Sequence, residues 1–121
     1  LKNERQALRT ALTDVQKMVE TMLGWQRAAQ EQPSELYRIG QNTTRLLLSV
    51  GDLVIGYLLL RQAGVALTAL DDGSAETDFY TGKVAVARFF AATVLPELTN
   101  RLQVLANTDN ALMDIPDGAF G

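Results

Sequence analysis

Asp52 is the one carboxylate set within the most apolar stretch of the chain, Leu46 to Leu60. A carboxylate withdrawn from water can have its pKa raised and then act as a general acid or base. On a helix, Ser49 and Gly56 would share its face, with Arg45 two turns away. The competing reading is an ion pair across to a neighbouring helix, for which Lys83 and Arg88 are the expected partners, or a polar residue at an interface edge. Beyond Asp52 the means for chemistry are sparse. Histidine and cysteine are both absent, which removes the commonest general base, the commonest metal ligand and every Ser-His or Cys-His nucleophile. Gly51 and Gly56 have the spacing of a phosphate loop, but Tyr57-Leu58 stand where Lys-Ser/Thr is required. Gly40, Gly51 and Gly56 read instead as places where another backbone comes close.

Phe79, Tyr80, Phe89 and Phe90 could line a flavin or acyl pocket, yet aromatics at helical spacing read first as core. Asn42-Thr43-Thr44 fits a glycosylation pattern, which means little on a buried helix. Asp109, Asp114 and Asp117 are spaced too irregularly for a calcium loop. No catalytic, cofactor-binding or metal-ligating residue is therefore assigned.

The elements that would position these side chains are helices. From Leu1 to about Gln30 the apolar residues Leu8, Leu12, Val15, Val19 and Met22 follow steps of four and three, with Ala11, Met18 and Trp25 beside them. Gly24 marks a point for bending or early fraying, since glycine costs about 1 kcal/mol in a helix interior. Pro33 separates this helix from the next, and Ser34 is a natural N-cap. A second helix is expected from Ser34 to about Leu70. Its seam is Leu36, Ile39, Thr43, Leu46, Val50, Leu53, Tyr57, Leu60, Gly64 and Leu67, with a break near Gly51, Gly56 or Gly64. It is apolar nearly all round, so it should be the most buried. Asp71-Asp72-Gly73-Ser74 reads as a turn in which Gly73 takes positive φ and Ser74 caps the third helix. That helix starts near Ala75 and carries Phe79, Val86, Phe90, Val94, Leu98 and Leu105 inward. Pro96 kinks it near Ala92–Pro96, because proline lacks a donor and crowds the carbonyl four residues back. A short helical turn from Asp109 to Met113 and an irregular tail complete the chain. The fold expected is all-α: an antiparallel bundle of three long helices, the second central and the third kinked, plus a short C-terminal turn.

Composition narrows the function further. Eleven basic residues against fourteen acidic ones, spread along the chain, supply no patch for a phosphate backbone, so nucleic acid is not an expected partner. The apolar run from Leu46 to Leu60 is shorter than the roughly 20 residues of a membrane span and holds Asp52, so no span is expected. The lack of cysteine suits a cytoplasmic protein. With a charged helical pattern beginning at Leu1, residues 1–121 are expected to be a single helical domain belonging to a longer chain. A helix apolar on most sides needs neighbours on most sides, and three helices leave part of it uncovered. A fourth element, a parent domain or a second copy is expected to complete its burial.

Phe79-Tyr80-Thr81-Gly82-Lys83-Val84-Ala85-Val86-Ala87-Arg88-Phe89-Phe90, then Val94-Leu95-Pro96 and the closing Asp109-Asn110-Ala111-Leu112-Met113-Asp114-Ile115-Pro116, resemble the C-terminal domain of large bacterial acyl-CoA dehydrogenases of the (methylthio)propanoyl-CoA dehydrogenase-like group. The likeness spans the chain and is most specific from Phe79 onward. It implies a parent flavoenzyme that oxidises an acyl-CoA to the 2-enoyl-CoA, a glutamate removing the α-proton while FAD accepts the β-hydride. Both the glutamate and the FAD site would lie upstream, so none of their residues maps onto this chain. The segment's own role is then packing against the parent flavin domains or association of subunits in a homo-oligomer. The alternatives are a stand-alone helical dimerisation or adaptor module and a bundle that binds an apolar ligand.

Overall fold

The computed structural model describes residues 1–121, and every regular element in it is helical. α1 spans Lys2–Ala28, α2 Leu36–Gly40, α3 Thr43–Asp71, α4 Thr77–Thr93 and α5 Glu97–Ala106, with 3₁₀ turns at Pro33–Glu35 and Asp117–Phe120. α1 continues straight through Gly24 to Ala28. Its buried face is Ala11, Asp14, Val15, Met18, Met22 and Trp25, so the stripe is rotated from the expected one and leaves Leu12 and Val19 exposed.

The second helix is divided, and at a different place from the glycines considered for it. Asn42 stops the short α2 by turning its side chain on the backbone: Nδ2 donates to the Arg38 carbonyl at 2.8 Å, the local competition that makes asparagine a helix breaker. From Thr43 the helix runs unbroken past Gly51, Gly56 and Gly64 to Asp71. Gly73 then takes φ +78° and the Ser74 amide donates back to the Ala69 carbonyl, closing α3 as the turn residues require. Ser74 Oγ accepts the Glu76 amide at 3.2 Å, and α4 begins at Thr77.

Pro96 does more than kink the third helix; it splits it into α4 and α5. The Ala92 carbonyl has no donor from Pro96, and the Leu95 amide reaches the Phe90 carbonyl at 3.2 Å across a widened turn. After α5 the chain makes a single helical turn, with the Met113 and Asp114 amides on the Asn110 carbonyl, and then the 3₁₀ turn.

Three apolar clusters stack along the long axis. Ala11 and Val15 meet Ala91, Leu95 and Leu98; Met18, Met22 and Trp25 meet Leu105; Ala63 and Ala66 meet Val84 and Ala87. These pairings place the start of α1 beside the end of α3 and run α3 opposite to α4 and α5. The second helix is not the most buried one. Only Ser49, Gly56, Ala63 and Ala66 are buried in α3, against six residues in α1. Of its expected seam, Leu46, Leu53, Leu60 and Leu67 are half-buried, whereas Leu36, Val50 and Tyr57 are exposed. The reason is the size of the side chains on its inner face. Small residues let α4 come close, and a Cβ built on Gly56 would lie 2.9 Å from Leu95 Cδ2. Gly56 thus admits a side chain rather than a backbone, and nothing approaches Gly40 or Gly51. Gly56→Leu is expected to destabilise by about 1–3 kcal/mol through overpacking against Leu95, read as a lower urea midpoint.

Candidate functional site

The register of α3 decides what Asp52 meets. Because Gly56 abuts Leu95 and the two helices run in opposite directions, the level of Asp52 lies beyond the Pro96 break, on α5. Arg101 Nη1 donates to Asp52 Oδ2 at 2.7 Å and reaches Ser49 Oγ at 3.5 Å, while Nη2 lies 3.4 Å from Glu97 Oε2. Ser49, fully buried, donates to the Arg45 carbonyl. Asp52 is therefore paired, but with neither of the cations expected. Lys83 sits at the far end of α4 with Nζ over the Phe79 ring at 5.2 Å, and Arg88 faces Glu4 of α1 at 3.7 Å.

A guanidinium shared between the Asp52 and Glu97 carboxylates, with a serine already engaged, orients helices rather than activating a proton. Asp52→Asn is expected to lower stability by about 1 kcal/mol, a modest loss because both partners keep some contact with water. Unchanged thermal unfolding would remove the pair from the account.

Two other polar groups were not singled out by spacing. Asp14, buried on α1, accepts from Thr99 Oγ1 at 2.6 Å. Asn42 is fully buried, donates to Thr108 Oγ1 at 3.1 Å and accepts from the Arg45 guanidinium, so its glycosylation pattern is closed to modification. Around it, Gln41 Nε2 donates to the Asp109 carbonyl and Asn110 Nδ2 to the Ser34 carbonyl, tying the closing segment to α2. The recurrence of Asn and Gln near residues 41–42 and 107–110 is the only sequence sign of this clasp.

Of the aromatic set, Phe79 and Tyr80 line a common groove, and Phe89 and Phe90 do not join them there. Phe79 and Phe89 are exposed, Tyr80 and Phe90 half-buried, and Phe79 stacks edge-on against Tyr80 at 5.2 Å; Val86, expected inside, is exposed as well. What forms instead are open grooves beside α3. One, of about 340 Å³, lies between α3 and α4 and includes Leu58, Val65, Phe79 and the cations Arg61 and Lys83. Another, of about 450 Å³, lies between α1 and α3 and includes Leu1, Arg5, Tyr57 and Arg61. No group of three or more acidic, His or Cys side chains comes together as a metal would need.

The outer face of α3 is an unpartnered apolar surface. Leu47 and Val65 are about 70% exposed, and Leu48, Val54, Ile55 and Leu58 are exposed as well. By length and apolar composition alone α3 could cross a membrane. Its inner side is engaged with α1 and α4, and the Asp52–Arg101 pair sits part-way along it.

A family described as acetyl-CoA dehydrogenase C-terminal like matches residues 1–116. A broad-specificity linear acyl-CoA dehydrogenase, FadE5, of Mycobacterium tuberculosis is 50% identical over 122 aligned positions, which take in 99% of this chain and 20% of that protein. A butyryl-CoA dehydrogenase of Syntrophomonas wolfei subsp. wolfei is 30% identical over 113 positions, 91% of this chain and 18% of its own length. The chain thus spans about a fifth of the length of these relatives.

Proposed function

Because the chain belongs to the acetyl-CoA dehydrogenase C-terminal-like family, we propose that it is the non-catalytic, C-terminal helical part of an FAD-dependent enzyme that oxidises acyl-CoA to 2-enoyl-CoA. The observation that carries this reading is the combination of a paired Asp52 with an apolar α3 face left uncovered. The first ties the one carboxylate of the apolar stretch to Arg101, and the second asks for a partner. The residues present do not fit a flavin. The grooves, lined by apolar side chains, Tyr57, Phe79, Tyr80 and cations, lie open and enclose nothing the size of a flavin, and the start of α4, where a helix dipole would favour phosphate, is flanked by Glu76 and Asp78. FAD and the catalytic glutamate belong to the upstream domains on this reading, and residues 1–121 hold none of that machinery.

The segment serves in packing or subunit association within a cytoplasmic homo-oligomer, with no membrane span and no nucleic acid. On this reading α3 becomes the central helix once another part of the protein covers its outer side. The coding sequence upstream of Leu1 tests the proposal. Flavin-binding domains are expected there; a start codon or signal peptide directly before Leu1 would contradict it. The exposed α3 face also suits a stand-alone dimerisation module. In that case residues 1–121 alone would be dimeric by light scattering at low concentration, with no flavin domain encoded upstream.

A further inference from the structure

We propose that Asp117–Gly118 is a site of spontaneous backbone modification, where the aspartate isomerises to an isoaspartyl link while Asp72–Gly73 is held intact. Aspartate followed by glycine is the pair best suited to this reaction, because glycine has no side chain to crowd its amide nitrogen. The chain holds two such pairs, Asp72–Gly73 and Asp117–Gly118, and all four residues are exposed. Residue type and access to water therefore do not separate them. Hydrogen bonding does.

The step is an internal condensation. The Gly118 amide nitrogen attacks Asp117 Cγ, an N–Cγ bond forms, and the hydroxyl of the protonated carboxyl leaves as water with the amide hydrogen. Water then reopens the cyclic imide. Attack at Cγ restores aspartate, whereas attack at the backbone carbonyl carbon leaves the chain running through the side chain, longer by a methylene. The net change is a rearrangement that needs no co-reactant besides water.

The attacking amide must be free, and the aspartate backbone must turn to present Cγ to it. At Asp72–Gly73 both are opposed. The Gly73 amide donates to the Leu70 carbonyl at 3.1 Å, the Asp72 amide to Thr68 at 3.0 Å and the Ser74 amide to Ala69 at 3.1 Å. The nucleophile is thus engaged, and bonds on both sides of it fix the end of α3. At Asp117–Gly118 the Gly118 amide has no acceptor, as one of the first-turn donors that a short 3₁₀ turn leaves unpaired. The Ala119 amide closes that turn on the Pro116 carbonyl at 2.9 Å, and none of its residues is buried, so opening it disturbs no core. The pair also follows every α-helix of the domain, so isomerisation alters none of the packed faces.

The test incubates the full-length polypeptide in water enriched in heavy oxygen, in mildly acidic buffer where carboxyl groups hold their proton more often. Each reopening of the imide leaves one heavy oxygen at that aspartate, whichever carbon is attacked, and fragmentation mass spectrometry assigns it to Asp72 or Asp117. Label is expected at Asp117 about ten-fold faster than at Asp72, where local opening must come first, and isoaspartate accumulates at Asp117 alone. In urea neither set of hydrogen bonds survives, and the two sites are expected to label alike. Gly118→Ala, at a position where a Cβ meets nothing within 4 Å, should slow labelling at Asp117 and leave the urea midpoint unchanged. Equal labelling of the two sites in the folded protein would overturn the proposal, as would a preference for Asp117 that persists in urea. Label at Asp117 that appears only after denaturation would overturn it as well.

Discussion

Leu98→Ala is expected to lower the unfolding free energy by about 2–5 kcal/mol, towards the upper end of that range. Leu98 is fully buried in the first turn of α5, where the chain resumes after the Pro96 break, and it packs with Ala11, Val15, Ala91 and Leu95. Two of those neighbours are alanines, which have no side-chain freedom to swing into the space left behind. The cavity would stay open, and its cost adds to the lost transfer free energy. Urea unfolding of residues 1–121 measures this as a lower midpoint at unchanged slope. Leu47→Ala supplies the contrast: at 70% exposure it is expected to change stability by less than about 0.5 kcal/mol in the same chain. Equal losses at the two positions would contradict the assignment of inner and outer faces.

Asn42→Ala should cost about 2–4 kcal/mol. The substitution strands the Arg38 carbonyl and the Arg45 guanidinium and removes the donor on Thr108 Oγ1, whose own hydrogen stays on the Val104 carbonyl. An opposing effect is present, because alanine would favour joining α2 and α3 into one continuous helix. That gain is a few tenths of a kcal/mol in propensity and does not offset stranded polar groups. The distinguishing readout is local. Hydrogen exchange from residues 108–114 should accelerate together with the loss of stability, since Thr108 anchors the closing segment to this asparagine. Exchange unchanged there would separate the tail from the clasp.

The elements that could be read from residue types are those set by local backbone chemistry. Gly73 takes its positive φ and Pro96 interrupts the third helix because each acts on its own few neighbours. The break at Asn42 escaped because the apolar spacing Leu36, Ile39, Leu46 runs straight through it, while the side chain that ends α2 is held by Thr108, 66 positions away. Long range also hid the partner of Asp52. Choosing Arg101 over Lys83 or Arg88 depends on how far α3 slides along α4 and α5, which the contact of Gly56 with Leu95 fixes.

The faces of α3 differ from those that its apolar spacing predicts, for a physical reason. Periodicity shows where large apolar residues fall, and in a domain standing alone that side is the core. Here the small residues turn inward and Leu47, Val54, Leu58 and Val65 turn out. The same reasoning accounts for Phe79, Phe89 and Val86, read as core and found exposed.

Flavin absorbance and acyl-CoA oxidation, measured on residues 1–121 alone and on the full-length polypeptide, test most directly the claim that this domain packs and does not catalyse. The account predicts that the full-length protein is yellow and active and the 121-residue chain colourless and inert. A yellow, active preparation of the short chain would contradict it.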